Sequence, residues 1–322
     1  MKFFKSSLPF VLVLVLFSCE EKQQKDKPKV SIEISDYPGN LSSGTIKRID
    51  SFPSKYVRPR TVDIWLPNNY NNKKKYAVLY MHDGQMLFDA ETTWNKQEWD
   101  VDRIIGGLID SSKIRDCIVV AMWNHSDIRH TEYYPQKPFD LLPQKFKDSI
   151  FETATKQFGT EFKGIQSDAY LKFIIEEVKP FVDTNFSTLT TLENTFIAGS
   201  SMGGLISMYA LCEYPTIFGG AACLSTHWIG FMPQENSPVP ASFFSYLEQN
   251  LPSPKTHKIY FDYGTSTLDE FYLPYQQGVD DVLKLKGFDD TTSKNLRFEG
   301  HDHSENSWNK RFQIPVEFLL TN

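Results

Sequence analysis

Cysteine is scarce in this chain of 322 residues, which contains four. No two of them form a C-x-x-C pair or another zinc-ligand spacing, and this excludes the usual kinds of structural zinc site. Cys117, Cys212 and Cys223 lie in apolar runs. Three thiols cannot all pair among themselves, so at least one of these three is not bonded to another of them. We expect all three to be buried and unpaired.

A surplus of basic residues is also missing. The chain has 34 Lys and Arg against 40 Asp and Glu, a net charge of −6, which argues against a nucleic-acid partner. No internal repeat and no second block of composition divides the sequence, and hydrophobic residues make up 40% of it. These observations favour one folded domain with a sizeable core.

The apolar run near the start is too short to span a bilayer as a mature helix. It covers residues 8–17 and follows Lys2 and Lys5, as is typical of a signal peptide. The run ends in Leu-Phe-Ser-Cys at residues 16–19, which resembles the lipobox of bacterial lipoproteins. The resemblance implies cleavage before Cys19, lipidation of Cys19 and anchoring to a membrane.

The segment after Cys19 has few apolar residues. Residues 20–29 are charged, rich in Gln and free of aromatics, which predicts a disordered tether. Acidic residues directly after the cysteine resemble export signals of Bacteroidetes lipoproteins and favour the outer membrane of the cell envelope. We therefore predict a signal peptide at residues 1–18, a lipidated tether at 19–42 and a folded domain at 43–322.

The most informative segment is a short apolar run followed by Gly-Ser-Ser-Met-Gly at residues 199–203 and then by an apolar stretch at helical spacing. A strand, a tight G-x-S-x-G turn and a helix form a nucleophile elbow, in which the serine stands clear of the backbone. Ser201 fits the pattern, whereas Ser200 would be flanked by Ala198 and Met202. We predict Ser201 as the nucleophile and the backbone N–H of Met202, at the helix start, as an oxyanion donor.

Strand-like and helix-like segments alternate along the rest of the chain. Alternating residues at 45–52 and 60–66 predict two early antiparallel strands. Continuous apolar runs at 76–81 and 116–122 predict strands that are buried on both faces. Together with the elbow, this order predicts an α/β-hydrolase fold, a mostly parallel central sheet with helices on both faces.

Two further predictions concern the region before the elbow. Residues 136–166 are rich in Lys and Phe with weak periodicity, and they predict a loop insertion, either a cover for the site or a surface decoration. Ser167 and Asp168 predict a cap on the helix that leads into the elbow.

Polar and aromatic residues follow several predicted strands, where α/β folds bind ligands. The strand at residues 76–81 ends in His-Asp-Gly-Gln, and in hydrolases of this fold that loop supplies the second oxyanion N–H. We predict that Gln85 is this donor and that Gly84 permits a close approach. Six side chains are predicted to line the substrate pocket: His82, Trp123, Glu132, His227, Trp228 and Trp308.

The fold orders its catalytic residues along the chain as Ser, acid and His. The base is expected on the loop after the last strand, where His301 and His303 compete, and spacing does not choose between them. The acid is expected after the preceding strand, at Asp269 or Glu270, while Asp262 inside that strand ranks third. The acid would hold the imidazole tautomer and stabilise the imidazolium.

Four motifs together resemble the esterase D family, which includes enterochelin esterases, S-formylglutathione hydrolases and feruloyl or acetyl-xylan esterases. They are His-Asp-Gly-Gln at 82–85, Gly-Ser-Ser-Met-Gly-Gly at 199–204, Phe-Asp-Tyr-Gly-Thr at 261–265 and Gly-His-Asp-His-Ser-Glu-Asn-Ser-Trp at 300–308. The resemblance covers about residues 45–320. The family's closing motif, G-x-x-H-x-E-x-x-W, implies that His303 is the base and that His301 is a pocket or surface residue.

The resemblance implies a serine carboxylic-ester hydrolase with a triad of Ser201, His303 and Asp269, an acyl-enzyme intermediate and no metal or cofactor. Relatives often carry the acid directly after the Gly-Thr pair, where this chain has Ser266 and Thr267, and Asp269 is the nearest match. The expected substrate is a small-molecule or oligosaccharide ester, either an acylated carbohydrate or a siderophore. Nothing in the sequence separates feruloyl, acetyl and siderophore esters.

Two other functions compete with the esterase. Gly-His-Asp-His at residues 300–303 matches the G-H-x-H motif that closes the metallophosphoesterase pattern, but the D-x-H, G-D and G-N-H-D/E motifs that such enzymes need are missing in the required order. The second is a lipid-anchored protein that keeps the fold and binds a ligand without turnover. The presence of a serine, a histidine and acids at the expected places argues against it.

Overall fold

The computed structural model describes Met1 and residues 32–158, 164–231 and 233–321. The chain divides into Met1–Ser31 and a compact unit, Ile32–Asn322. The compact unit therefore starts before residue 43, since a strand at Ser35–Asp36 pairs with the strand at Thr45–Phe52. The predicted signal peptide and the lipidation site at Cys19 lie outside the described residues.

The strands of the described residues form one sheet. They are β1 (Ser35–Asp36), β2 (Thr45–Phe52), β3 (Arg60–Leu66), β4 (Ala77–Met81), β5 (Cys117–Met122), β6 (Thr195–Ser200), β7 (Gly220–Leu224), β8 (Lys258–Gly264) and β9 (Ser293–Phe298). Their order across the sheet is β1-β2-β3-β5-β4-β6-β7-β8-β9. The pairs β1–β2, β2–β3 and β3–β5 are antiparallel, and all other neighbours are parallel.

Helices cover the sheet and connect its strands. They are α1 (Val101–Asp110), α2 (Arg129–Tyr133), α3 (Gln136–Asp140), α4 (Gln144–Phe158), α5 (Ser167–Lys172), α6 (Lys179–Asn185), α7 (Met202–Glu213), α8 (Val239–Asn250), α9 (Leu273–Leu285), α10 (Glu305–Arg311) and α11 (Gln313–Leu320). A π-helical segment, Phe173–Val178, joins α5 to α6.

Each face of the sheet carries its own apolar core because neighbouring side chains of a strand point to opposite faces. In β4, Val78 and Tyr80 belong to one core, while Ala77, Leu79 and Met81 belong to the other. All five residues are at most 1% exposed. This two-sided burial explains the continuous apolar run of β4 and confirms the predicted α/β fold.

The prediction of a loop at residues 136–166 is wrong for most of that range, which forms α3 and α4. Phe139 and Ile150 are buried in the core, and the Phe139 ring packs against Tyr134 and Phe151. A few large apolar side chains thus anchor helices that are otherwise polar, and this weakens the periodic signal.

The predicted helix cap at Ser167 and Asp168 is also wrong. Gln166 precedes the first helical residue, and no side chain caps α5 there. The Ser167 hydroxyl instead accepts a hydrogen bond from the backbone N–H of Gln136 at 2.9 Å, and Tyr209 donates to Asp168 at 2.7 Å. Both polar residues therefore hold α5 to its neighbours.

The cysteine prediction is confirmed for the three cysteines that the structure describes. Cys117, Cys212 and Cys223 are buried and free.

Across the part of the chain that the structure describes, no helix is both long and apolar enough to cross a membrane.

Candidate active site

Ser201 sits between β6 and α7 in a conformation that non-glycine residues seldom adopt, with φ 58° and ψ −121°. Positive φ in such a residue marks local strain that the surroundings must offset. The backbone N–H of Ser201 donates to the Leu224 carbonyl at the end of β7, at 2.9 Å. Every residue from Met202 to Cys212 is buried, so α7 is anchored along its length and holds the turn in place.

His303 and Asp269 are hydrogen-bonded to each other. His303 Nδ1 lies 2.5 Å from Asp269 Oδ1, while Asp269 Oδ2 accepts from the Gly264 backbone N–H at 2.6 Å and from the Ser225 hydroxyl at 2.5 Å. Burial alone would raise the pKa of Asp269, but the bonds from His303, Ser225 and Gly264 outweigh it and hold this pKa below its usual value. The carboxyl is therefore an anion near neutral pH.

The loop that carries His303 is held against the end of β8. A Cβ on Gly264 would lie 2.1 Å from the His301 carbonyl oxygen, so only glycine permits this approach. The His303 backbone N–H donates to Thr267 Oγ1 at 3.0 Å, and Thr267 itself has a positive φ of 57°. The rings of Tyr272 and Trp308 meet the His303 ring edge to face.

These contacts separate the residues that sequence spacing left as alternatives. Asp269 is 1% exposed and reaches His303, whereas Glu270 is exposed. Asp262 pairs with Arg311 at 3.0 Å and does not contact His303 through any hydrogen bond of the described residues. The His301 ring packs on Phe298 and makes no such bond to Asp269.

A chain of contacts through His227 and Tyr272 links Ser201 to His303, although their side chains form no hydrogen bond with each other in the described residues. The His227 backbone N–H donates to the Ser201 carbonyl at 3.2 Å, and His227 Nδ1 lies 2.8 Å from the Tyr272 hydroxyl. Tyr272 in turn packs against His303. Catalytic hydrogen bonds are often long in a site without substrate and tighten when it binds.

The predicted oxyanion donors lie on two segments that pack together. A Cβ on Gly203 in α7 would lie 3.4 Å from Asp83 Oδ2 and 3.5 Å from His82 Cβ, so the turn after β4 lies against the start of α7. In the described residues, neither the Met202 nor the Gln85 N–H donates a hydrogen bond. A Cβ on Gly84 would lie 2.9 Å from the backbone of Ala121, which explains the glycine beside Gln85.

An ion pair that the sequence did not indicate holds the turn after β4. Arg129 donates to both carboxylate oxygens of Asp83 at 2.8 and 2.7 Å, and Asn124 donates to Asp83 at 2.6 Å. Burial would raise the pKa of Asp83, but Arg129 and Asn124 outweigh it and keep this pKa below its usual value. The Gln85 side chain accepts from the Asn124 N–H at 3.2 Å, so the pair also orients the predicted oxyanion loop.

Three of the six predicted pocket residues are core residues, which corrects that prediction. Trp228 is 0% exposed and packs against Phe243 and Phe261. Glu132 is also 0% exposed and pairs with Arg60. His82 is 1% exposed, with Nδ1 at 2.9 Å from the Tyr170 hydroxyl. Side chains without accessible surface cannot form a pocket wall.

Of the other three predicted pocket residues, Trp308 and His227 contact His303 and its neighbour Tyr272, and Trp123 lies beside Gly84 in the turn after β4. The ring of Trp308 packs on His303, and its indole N–H donates to Ser225 at 3.0 Å. His227 is buried between Tyr272 and the Phe231 carbonyl. Trp123 donates to Asp63 at 2.9 Å, on the antiparallel side of the sheet.

Two features of the described residues bear on other chemistries. No group of three or more His, Cys, Asp or Glu side chains could hold a metal ion. An open cavity of about 490 Å³ is lined by Lys75, Ile109, Arg115 and Asp116, among others. It lies at the amino-terminal ends of β4 and β5, whereas Ser201 and His303 follow the carboxyl ends of their strands, so this cavity is remote from the site.

Sequence reasoning missed Ser225 and Arg311, which lie directly behind Asp269. Ser225 follows the last residue of β7, and Arg311 lies three residues after Trp308 in α10. Positions three apart share a face of a helix. The spacing of Trp308 and Arg311 therefore indicated that they share a face of α10, but nothing in the sequence shows that this face points to Asp269.

This chain is similar to known proteins in sequence and in structure. A family model described as "Putative esterase" matches residues 54–314. An endo-1,4-beta-xylanase/feruloyl esterase of Xylanibacter ruminicola is 26% identical over 223 residues, which are 68% of this chain and 26% of that protein. The chain thus spans about a quarter of the length of this relative.

Solved structures have the same fold. A CE1 ferulic acid esterase from Anaeromyces mucronatus superposes with a TM-score of 0.57 at 19% identity, covering 89% of this chain and 98% of that chain. The enterochelin esterase from Shigella flexneri gives a TM-score of 0.59 at 14% identity, covering 88% of this chain and 59% of that chain. With the family model spanning residues 54–314, the chain belongs to the esterase family, a family of carboxylic ester hydrolases, and has the α/β-hydrolase fold.

Proposed function

We propose that this protein is a serine carboxylic-ester hydrolase that acts through Ser201, His303 and Asp269. The observation that carries the proposal is the hydrogen bond of 2.5 Å between His303 and the buried Asp269, on the loops that follow β9 and β8. Ser201 supports it with the strained backbone of a nucleophile elbow, φ 58°. A serine on such a turn needs an adjacent base, and the base needs a third group to orient it.

The reaction would run in two halves. Ser201 Oγ attacks the carbonyl carbon of the ester and His303 takes its proton, after which His303 protonates the departing alcohol. Water, activated by His303, then attacks the acyl-enzyme and releases the acid. The backbone N–H groups of Met202 and Gln85 would stabilise each oxyanion, and one such donor is worth about 3 kcal/mol in comparable sites.

Asp269 would hold His303 in the productive tautomer. Its Oδ1 accepts from Nδ1, which leaves the other ring nitrogen, Nε2, free to accept the serine proton. The carboxylate also stabilises the imidazolium that forms in each half-reaction without itself taking the proton. The low pKa of Asp269 fits this task.

The proposed substrate is an acylated carbohydrate or a siderophore ester. Support comes from the names of the similar proteins, a xylanase/feruloyl esterase, a ferulic acid esterase and an enterochelin esterase. A signal peptide with a lipobox also fits a substrate outside the cytoplasm better than formylglutathione, because glutathione chemistry is intracellular.

The first experiment is hydrolysis of p-nitrophenyl acetate and butyrate by the purified full chain, beside Ser201→Ala, with EDTA in both reactions. Turnover that survives EDTA and is lost in the variant supports the serine esterase. A panel of methyl ferulate, acetyl-xylan and enterobactin then identifies the acyl group. A folded wild type that hydrolyses none of these esters would contradict the proposal and favour the ligand-binding alternative.

We also propose that Cys19 carries a lipid anchor that holds the protein in the bacterial cell envelope, at the outer membrane. The support is the sequence at residues 16–19 and the basic, apolar segment before it. Cys19→Ser should move the protein from the membrane fraction to the soluble fraction. A variant that stays as membrane-bound as the wild type would disprove the anchor.

A further inference from the structure

A buried polar cluster lies behind Asp269, on the side away from His303. We name it the triad-acid cluster: Asp269, Ser225, Arg311 and Asp262. All four side chains are at most 1% exposed. Burying an arginine and two carboxylates costs free energy unless each is well paired, so the hydrogen bonds within this cluster decide whether it is stable.

The Ser225 hydroxyl has all its bonding capacity in use. Its oxygen accepts from the Arg311 guanidinium at 2.6 Å and from the Trp308 indole N–H at 3.0 Å. It lies 2.5 Å from Asp269 Oδ2. A hydroxyl has one donor and two lone pairs, and two obligate donors occupy both lone pairs. Its proton can therefore go only to Asp269.

This arrangement limits the freedom of the Asp269 carboxylate. The Ser225 hydroxyl and the Gly264 N–H both donate to Oδ2, and Oδ1 remains for His303. Rotation of the carboxylate would break bonds on both oxygens. The three donors also favour the ionised carboxylate, which is the state that a triad needs.

Arg311 closes the cluster on the far side. Its Nη2 bonds to Ser225 and lies 3.0 Å from Asp262 Oδ1 and 3.8 Å from Asp269 Oδ2. Asp262 is held in turn by the Tyr260 hydroxyl at 2.9 Å. Because a guanidinium stays protonated in proteins, Arg311 remains a donor and the Ser225 hydroxyl cannot reverse its direction.

We infer that Ser225 and Arg311 are positioning residues of the proposed triad. Arg311, with the Trp308 indole, sets the direction of the Ser225 hydroxyl. Ser225 then keeps Asp269 ionised and turned so that Oδ1 faces His303. The inference rests on the proposed function, since it assigns these residues a role in the reaction of Ser201.

A double-mutant cycle on kcat tests the inference, with Ser225→Ala, Asp269→Ala and the double variant in the full chain acting on p-nitrophenyl acetate. We expect Ser225→Ala to lower kcat by about 10- to 100-fold, the loss seen when a residue that orients a metal ligand is removed from other enzymes, with KM little changed. In the Asp269→Ala background the same substitution should have almost no further effect, because Ser225 acts through the carboxylate. Equal effects in both backgrounds would overturn the inference.

Ser242→Ala is a matched control. Ser242 is 6% exposed and donates to the Val239 carbonyl at 2.7 Å in α8, outside the cluster, so its kcat should equal that of the wild type. Ser225→Gly repeats the test if the alanine variant does not fold, because the positive φ of Ser225, 41°, suits glycine.

A measurement without turnover separates this inference from the proposed function. The proton between His303 and Asp269 should give a strongly downfield ¹H NMR signal in the wild type and in Ser242→Ala, and Asp269→Ala should lose it. We expect Ser225→Ala to shift or broaden the signal. An unchanged signal in Ser225→Ala would overturn the inference, whether or not the wild type hydrolyses an ester.

Discussion

Two buried arginine clusters in this molecule contain similar groups and lie in different halves of the sheet. The triad-acid cluster follows β7 and β8. The scaffold cluster, by which we mean Arg60, Glu132, Tyr170 and His82, lies beside β3 and β4. In the scaffold cluster, Arg60 binds both oxygens of Glu132 at 2.8 and 2.5 Å, and both side chains are 0% exposed.

The clusters differ in where their hydrogen bonds lead. The Arg60 guanidinium lies over the Tyr170 ring at 5.3 Å, and the Tyr170 hydroxyl meets buried His82, so the scaffold cluster ends in the core. The triad-acid cluster ends on His303, whose side chain is 15% exposed. Buried, paired charge is therefore a poor guide to chemistry by itself. The informative difference is that the hydrogen bonds of the triad-acid cluster lead to the partly exposed ring of His303, whereas those of the scaffold cluster lead to a buried ring.

The largest expected effect distinguishes the two histidines of the closing motif. His303→Ala should lower kcat by about 10⁶-fold, the loss that follows removal of the base from a comparable triad. His301→Ala should retain most of the activity, because His301 makes no hydrogen bond to Asp269 in the described residues. Steady-state kinetics on a p-nitrophenyl ester measures both. A greater loss in His301→Ala would reverse the assignment of the base.

The next effect concerns the stability of the fold, and in the scaffold cluster we expect it without a loss of activity. Glu132→Leu leaves Arg60 buried without its partner, which should lower the free energy of unfolding by about 3–5 kcal/mol, while kcat of the folded variant stays close to that of the wild type. Urea unfolding measures the free energy of unfolding, and steady-state kinetics on the same samples measures kcat.

The double variant Arg60→Met/Glu132→Leu is the control for this substitution. Replacing both charges by apolar side chains of similar size should recover most of the lost stability. If Glu132→Leu instead lowers kcat and leaves stability unchanged, the scaffold cluster takes part in the reaction and the contrast between the clusters fails.

The smallest effect is a pH dependence that originates in the scaffold cluster. Burial lowers the pKa of His82 to about 3, against about 6.5 in the unfolded chain. His82 thus binds a proton below about pH 6.5 in the unfolded state but only below about pH 3 in the native state. Because protonation favours the unfolded state between these values, His82 makes the protein less stable as the pH falls through this window.

His82→Asn isolates this contribution, because asparagine keeps a polar atom near the Tyr170 hydroxyl but does not titrate. The free energy of unfolding of both proteins is measured in urea between pH 7 and pH 4. The slope of the His82→Asn curve should be smaller than that of the wild type, and the difference between the two slopes should reach at most about 1.4 kcal/mol per pH unit. Parallel curves for the two proteins would contradict the prediction, because they would show that His82 binds its proton over the same pH range in the native and unfolded states.

Strong local patterns made much of the fold predictable. The segments at 45–52 and 60–66 are β2 and β3 at the predicted residues, because successive side chains of a strand point to opposite faces of the sheet and alternation in the sequence reflects this period. The insertion at 136–166 was not predictable in this way. Its helices are held by a few side chains such as Phe139 and Ile150, and such contacts leave little periodicity.

The six predicted pocket residues show where sequence reasoning reaches its limit. Trp228 and Glu132 follow strands or begin helices at the expected edge of the sheet, yet both are 0% exposed. Position after a strand indicates the edge but not the direction of a side chain. Arg60 and Glu132 are 72 residues apart, and no local pattern reveals that they pair.

The sequence by itself determined the α/β class and the strand, turn and helix around Ser201, because both follow from local patterns of apolar and turn residues. The order of serine, acid and histidine stays a prediction from chain order. Only the tertiary structure brought Asp269 rather than Glu270 to His303 and set Ser225 and Arg311 behind it. These choices depend on hydrogen bonds between residues far apart in the chain, whose geometry exists only once β7, β8 and α10 have packed together.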